Sequence, residues 1–198
     1  HMANLTKKQV VAMVFGNQSS LYYQQIRKET DPETRRAAYE RIENDLARCI
    51  ELFPKSGLGL RNRATYWMDC HGDFVKALAD IERVERWERT ASTYILKSMA
   101  LRGLGRYKPA FQALDQAEKA PSMRKRGLKG ILARNRARIH FEAGEYAKAL
   151  EYCDSVLWES GDKPEMKGAA LALFLFRVRL YNQLGEYDRA LAAGELML

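Results

Sequence analysis

The chain has 198 residues, of which 46% are apolar and 29% are charged, and its formal net charge is +8. This length suits one domain or one extended array. No run approaches the ~18 apolar residues of a transmembrane helix, so a membrane-spanning protein is not expected. The three cysteines lack the C-x-x-C spacing of zinc or redox sites and favour a reduced, cytoplasmic compartment. The basic excess is local, since residues 120–141 carry seven basic side chains and no acid.

The N-terminal part of the chain is the least regular. An apolar pattern over 5–15 predicts an N-terminal helix or cap within residues 2–20. Residues 21–57 are predicted to form a degenerate first repeat with a long second helix. That helix is predicted to begin at Asp31-Pro32, because Asp caps helix N-termini and proline suits the first turn. It is predicted to end at Pro54.

One turn motif recurs four times in the rest of the chain. Gly72, Gly105, Gly144 and Gly185 are each followed by an aromatic residue two positions later and by an alanine five positions later. The glycines are 33, 39 and 41 residues apart. Glycine reaches the positive φ that ends a helix, so each motif predicts two helices joined by a tight turn.

This spacing resembles the tetratricopeptide repeat (TPR) family, whose 34-residue unit is a helix–turn–helix. The alanine after each turn matches the small residue early in the family's second helix. The resemblance implies an all-α, right-handed α-solenoid of stacked TPR-like repeats over 58–198, with repeats at 58–90, 91–124, 125–163 and 164–198. The last helix has no polar cap, so the array is expected to continue beyond residue 198.

Catalytic signals are scarce. The sequence has no HExxH, P-loop or G-x-S-x-G motif. The one dense cluster of possible ligands, residues 69–73, matches no standard zinc spacing and is interpreted as an interhelical turn in which Asp73 caps the next helix. His140 replaces a core residue and is expected to be packed. We therefore expect neither an enzyme nor a bound metal or cofactor.

The resemblance also implies where a partner binds. In TPR proteins the first helices of the repeats line a concave groove that holds a peptide or a partner helix. Arg134 and Arg138 are one helical turn apart, could grip a carboxylate, and match the basic half of the carboxylate clamp of chaperone-binding members. An acidic partner is therefore one candidate. The residues of this sequence that match the groove-lining positions of the family are Asn62, Tyr66, Met99, Arg102, Arg134, Arg138, Phe141, Leu175 and Arg179.

Two alternatives to a peptide-binding scaffold follow from other features. The basic segment 124–138, with the patch Arg124, Lys125, Arg126 and Lys129, favours nucleic-acid or anionic-surface binding, or else is a solvated junction between repeats. The ends of the repeat array lack polar caps, which favours self-association through the terminal helix. The protein would then be an assembly or regulatory subunit.

Overall fold

The computed structural model describes residues 5–26, 29–124, 128–159 and 169–195, and these residues are helical apart from short turns and caps. The chain divides into two compact units, His1–Arg89 (unit 1) and Thr90–Leu198 (unit 2). In the described parts of both units, no helix is long and apolar enough to cross a membrane.

The described residues of unit 1 form four α-helices and one π-helical turn. The helices are α1 (Lys7–Ile26), α2 (Pro32–Leu52), α3 (Gly57–Tyr66) and α4 (Phe74–Glu85), and the π-helical turn Trp67–His71 follows α3. Short polar side chains begin three of these helices. Asp31, Ser56 and Asp73 accept hydrogen bonds from the exposed amides of α2, α3 and α4, respectively. The sequence predicted the caps at Asp31 and Asp73.

The helix α1 is longer than the sequence suggested. It runs unbroken from Lys7 to Ile26, so the boundary predicted at residue 20 falls inside a helix. Gly16 lies buried in α1, and a Cβ there would stand 3.2 Å from Leu58 and 3.3 Å from the Cys49 sulfur. This glycine therefore permits a close approach to α2 and α3 instead of ending the helix. As a result, α1 and α2 form the first hairpin together.

The core of unit 1 is formed where these helices meet. Ile26, Ile42, Leu46 and Tyr66 make one buried cluster of side chains from α1, α2 and α3. A second cluster joins Ile50, Leu60 and Val84 from α2, α3 and α4. Each helix therefore covers its apolar face only by packing on its neighbours, as the repeat pattern requires.

In unit 2, the part of the chain that the structure describes forms three helical hairpins. They are α5 (Ala91–Gly103) with α6 (Tyr107–Lys119), α7 (Leu128–Glu142) with α8 (Tyr146–Glu159), and α9 (Ala169–Leu184) with α10 (Tyr187–Glu195). A short 3₁₀ turn, Pro121–Arg124, follows α6. The turn glycines Gly105, Gly144 and Gly185 have φ values of 69°, 78° and 74°, as the recurring motif predicted.

The three hairpins of unit 2 stack in sequence order. The first helices contact one another, α5 with α7 and α7 with α9, and each second helix contacts the first helix that follows it. Ala110, Ala149 and Ala190 are buried at the start of the second helices, where a small side chain allows close packing. This stacking brings one face of α5, α7 and α9 into a continuous row.

Candidate functional site

The row of first helices in unit 2 carries most of the predicted partner-binding residues. On α7, Arg134, Arg138 and Phe141 follow one another at spacings of four and three, which places them on one side of the helix. Leu175 and Arg179 on α9 are four residues apart, and Met99 and Arg102 on α5 are three residues apart, so each pair also shares one side of its helix. We call the surface formed by these residues the arginine face, and its members are Met99, Arg102, Arg134, Arg138, Phe141, Leu175 and Arg179.

Arg102 is a largely buried charge of the arginine face, with a side chain 14% exposed. Its guanidinium donates to Glu142 on α7, while its Nε finds no hydrogen-bond partner among the described residues. Burial lowers the pKa of Arg102 below its ordinary value, the Glu142 carboxylate opposes that shift, and the charge of Arg138 adds to it. A second positive charge, that of Arg138, therefore lies near the pair of Arg102 and Glu142.

Other arginines on the same helices have a structural role. Arg136 on α7 donates to Asp115 at 2.7 Å and to Glu118 at 2.9 Å, both on α6. Arg177 on α9 lies 2.9 Å from Asp154 on α8. These side chains join each first helix to the second helix before it, so their charges are neutralised within the fold.

Three of the four arginines of the arginine face differ from that set. Arg134, Arg138 and Arg179 form no ion pair with any residue that the structure describes, and Arg138 and Arg179 are exposed. Arg134 is half-buried. Their positive charges are thus available to an external anion.

Apolar groups lie beside these charges. The Phe141 ring packs 5.2 Å from Phe176 and 5.3 Å from Tyr146, measured between ring centroids. The Arg179 guanidinium lies 4.8 Å from the centre of the Phe141 ring, a cation–π contact that orients it. Leu175, one turn before Arg179, is 53% exposed. The arginine face can therefore offer cations and apolar contact area together.

Two predicted groove residues belong to unit 1 and are engaged in its packing. The Asn62 amide donates to the Gly16 carbonyl oxygen at 2.8 Å, which ties α3 to α1. Tyr66 is 1% exposed, and its hydroxyl donates to Glu43 at 2.8 Å. Burial is the largest cause that raises the pKa of Tyr66 above its ordinary value, and the hydrogen bond to the Glu43 carboxylate raises it further. These contacts hold both side chains within unit 1.

The basic patch predicted from the sequence stays a prediction. Lys125 and Arg126 lie outside the described residues, and so do the side chains of Arg124 and Lys129.

His140, in contrast, is packed as the sequence predicted. Its ring lies between Phe111 and Tyr152, at centroid distances of 4.5 and 5.3 Å, and its Nδ1 is 2.6 Å from Glu145. His140 thereby joins α7 to α6 and α8.

Sequence reasoning missed Glu142 and Phe176. Glu142 stands four residues after Arg138, a spacing that places it at the edge of the arginine face and could have indicated its role. Phe176 carries no such signal, because its contact with Phe141 depends on how α9 packs against α7.

Comparison with solved structures identifies the fold. A PilF protein of Pseudomonas aeruginosa matches 97% of this chain and 77% of its own, with 16% identity and a TM-score of 0.70. A TPR protein of Parabacteroides merdae matches 94% of this chain and 69% of its own, with 17% identity and a TM-score of 0.68. A TPR protein of Thermus thermophilus matches 94% of this chain and 90% of its own, with 20% identity and a TM-score of 0.68.

Neither a scan of protein-family models nor a search of curated proteins found a match to this chain. The fold assignment therefore rests on the repeated turns, the stacked helical hairpins and the structural likeness over nearly the whole chain. The chain has the fold of the tetratricopeptide repeat proteins, an all-α fold of the α-solenoid class.

Proposed function

We propose that this protein is a non-catalytic scaffold whose arginine face binds an acidic peptide or helix of a partner protein. The observation that carries the proposal is the group Arg134, Arg138 and Arg179, which have no ion pair among the described residues. Each lies on a helix whose other arginine, Arg136 or Arg177, is neutralised by an acid. The contrast favours an external anion as the missing counter-charge.

The charge of the arginine face supports an acidic partner. Arg102, Arg134, Arg138 and Arg179 contribute four positive charges, and Glu142 contributes one negative charge, so the balance is +3. A planar guanidinium can donate two parallel hydrogen bonds to one carboxylate, and such charge-assisted pairs are stronger than neutral ones. The buried Nε of Arg102 adds a donor that lacks an acceptor.

The apolar part of the face supports a peptide over a free small anion. Leu175 is exposed, while Phe141 and Met99 are half-buried beside the arginines. Burial of such side chains supplies most of the binding free energy at protein interfaces, and charges supply orientation and faster association. Arg134 and Arg138 are separated by about 6 Å along α7. A partner helix with acids one turn apart and a leucine beside them would therefore match the face.

The test is charge reversal at Arg134 and Arg138. The probe is a fluorescein-labelled synthetic helical peptide with Glu at i and i+4 and Leu at i+3 and i+7, and binding is measured by fluorescence anisotropy. We expect Arg134→Glu with Arg138→Glu to weaken binding at least tenfold, which corresponds to about 1.4 kcal/mol. Circular dichroism should show unchanged helicity, because neither arginine has an ion pair to lose among the residues that the structure describes.

The matched control is Arg106→Glu with Lys108→Glu. These two exposed cations lie at the start of α6 and receive the same change of net charge. We expect this control to bind the peptide nearly as well as the parent chain. Equal binding by the parent and the Arg134/Arg138 variant would refute the proposal.

The salt dependence of the binding affinity distinguishes a nucleic-acid ligand from a peptide. Binding that rests on phosphate contacts falls steeply with salt, by orders of magnitude between 50 and 200 mM for six or more contacts. We expect a generic DNA duplex to compete with the peptide weakly and only at low salt. A pull-down from cell extract with mass spectrometry would then name the natural partner.

A further inference from the structure

The arginine face contains an ion pair of its own. The Arg102 guanidinium on α5 donates to the Glu142 carboxylate at the end of α7, so this pair joins two first helices. The pairs of Arg136 and Arg177, in contrast, join a first helix to the second helix before it. The acid that neutralises Arg102 therefore belongs to the surface on which an acidic ligand is proposed to bind.

Glu142 is placed to serve either of two arginines. It stands four residues after Arg138, a spacing that brings two side chains of one helix together. Its carboxylate nevertheless contacts Arg102, and Arg138 has no ion pair among the described residues. Burial lowers the pKa of Arg102, and the nearby charge of Arg138 lowers it further. Glu142 therefore offsets a local excess of positive charge.

The Arg102 side chain is more shielded from solvent than the acid that it contacts. The side chain of Arg102 is 14% exposed, whereas that of Glu142 is 34% exposed. The Nε of Arg102 is buried and has no hydrogen-bond partner among the described residues. An external carboxylate can reach this nitrogen only after Arg102 turns outward, and that movement requires release from Glu142.

Replacement of Glu142 by a ligand carboxylate would avoid the cost of leaving Arg102 unpaired. A partly buried guanidinium without a counter-charge is strongly unfavourable. A ligand carboxylate restores the charge pair and can accept two parallel hydrogen bonds from the guanidinium. The displaced Glu142 side chain can turn into solvent, while the Tyr107 hydroxyl still donates to its backbone carbonyl oxygen at 3.1 Å. An exchange of partners is therefore compatible with the fold.

We propose that Glu142 competes with the acidic partner for Arg102, so that full binding requires a ligand carboxylate to displace Glu142. This inference rests on the proposed function of the arginine face and names a residue that sets its specificity. A neutral amide cannot replace the Glu142 carboxylate, because it brings no counter-charge to Arg102. Glu142 thus discriminates against neutral ligands and lowers the affinity for acidic ones.

The first test requires no ligand. Phenylglyoxal modifies accessible guanidinium groups, and peptide mass spectrometry gives the rate of modification at each arginine. We expect Glu142→Gln to raise the rate at Arg102 several-fold and to leave the rate at Arg136 unchanged. The matched control is Glu151→Gln, which removes one negative charge from an exposed position on α8 and should not alter the rate at Arg102. Circular dichroism should show equal helicity in the two variants.

The second test uses the labelled acidic peptide of the charge-reversal experiment. We expect Glu142→Gln to bind this peptide about fivefold more tightly than the parent chain does, because Arg102 is then free to pair with it. In an Arg102→Met background, Glu142→Gln should change the affinity little. A peptide with Gln in place of both Glu residues should gain nothing from Glu142→Gln.

Specific outcomes would overturn the role of Glu142. Unchanged modification of Arg102 in Glu142→Gln would show that the acid does not withhold this side chain, and unchanged affinity for the acidic peptide would show that it does not compete. An equal gain in affinity from Glu151→Gln, or in the Arg102→Met background, would indicate a general charge effect instead. Absence of peptide binding by both the parent chain and Glu142→Gln would refute the proposed function itself, and this inference with it.

Discussion

At the residue scale, arginine has two roles in this protein, and the difference lies in the acids nearby. Arg63 donates through two nitrogens to the two oxygens of Asp80, each at 2.7 Å. Asp80 is 4% exposed, so its charge would be costly to bury without this partner. Arg138, in contrast, is exposed and has no ion pair with a described residue. Paired arginines hold helices together, and we propose that the unpaired arginines of the arginine face bind the partner.

The pair of Arg63 and Asp80 gives a prediction about stability. Asp80→Ala should lower the free energy of unfolding by about 3 kcal/mol, because it leaves a partly buried guanidinium without its carboxylate. Glu82→Ala is the matched control, since Glu82 is an exposed acid on the same helix and should change stability by less than about 0.5 kcal/mol. Urea unfolding followed by circular dichroism measures both values. Equal effects of the two variants would show that the pair contributes no specific stability.

At the element scale, four glycine turns define the repeats. Gly72, Gly105, Gly144 and Gly185 all have φ between 63° and 78°, a region that residues with a Cβ rarely adopt. A Cβ added at Gly105 would meet no atom within 4 Å. The backbone conformation at position 105 therefore requires glycine, whereas the space around it would admit a side chain.

This distinction predicts opposite effects for two neighbouring glycines. Gly105→Ala should destabilise unit 2 by about 1 kcal/mol, the cost of a left-handed conformation for alanine. Gly103→Ala should stabilise it slightly, by at most about 0.5 kcal/mol, because Gly103 is the last residue of α5 and alanine favours helix. Thermal unfolding of the two variants supplies the comparison. Two changes of the same sign would contradict this account of the turn.

At the scale of the whole molecule, each unit has a core of its own with one buried cysteine. Cys49 of unit 1 and Cys153 of unit 2 are both 0% exposed. Burial raises the pKa of Cys153 to about 12. Roughly one Cys153 thiol in ten thousand is then ionised at pH 8, and the thiolate is the reactive form. Each thiol can therefore report on the opening of its own unit.

Thiol labelling tests this prediction. In a Cys70→Ser variant, we expect Cys49 and Cys153 to react with an aromatic disulfide reagent at least about 100-fold more slowly in buffer than in urea. Peptide mass spectrometry assigns the label to each cysteine as urea is raised. Rapid labelling of Cys153 in buffer would contradict the buried position of its side chain.

Most of the helical organisation was predictable because it depends on neighbours in sequence. The caps at Asp31 and Asp73 act on amides three residues later, and the glycine turns act within one or two residues. The predicted end of the N-terminal helix was wrong for a nonlocal reason. The apolar pattern used for the prediction stops after residue 15, but Gly16 packs against Leu58 and Cys49 and α1 continues past it to Ile26.

The sequence alone determined the all-α class, the four repeated turns and the surplus of arginine, because each follows from local conformation or from composition. Only the tertiary structure decided which arginines are neutralised. Arg136 meets Asp115 across 21 residues of chain, and Arg102 meets Glu142 across 40. Contacts over such distances depend on how the hairpins stack, because stacking selects which acid each guanidinium reaches.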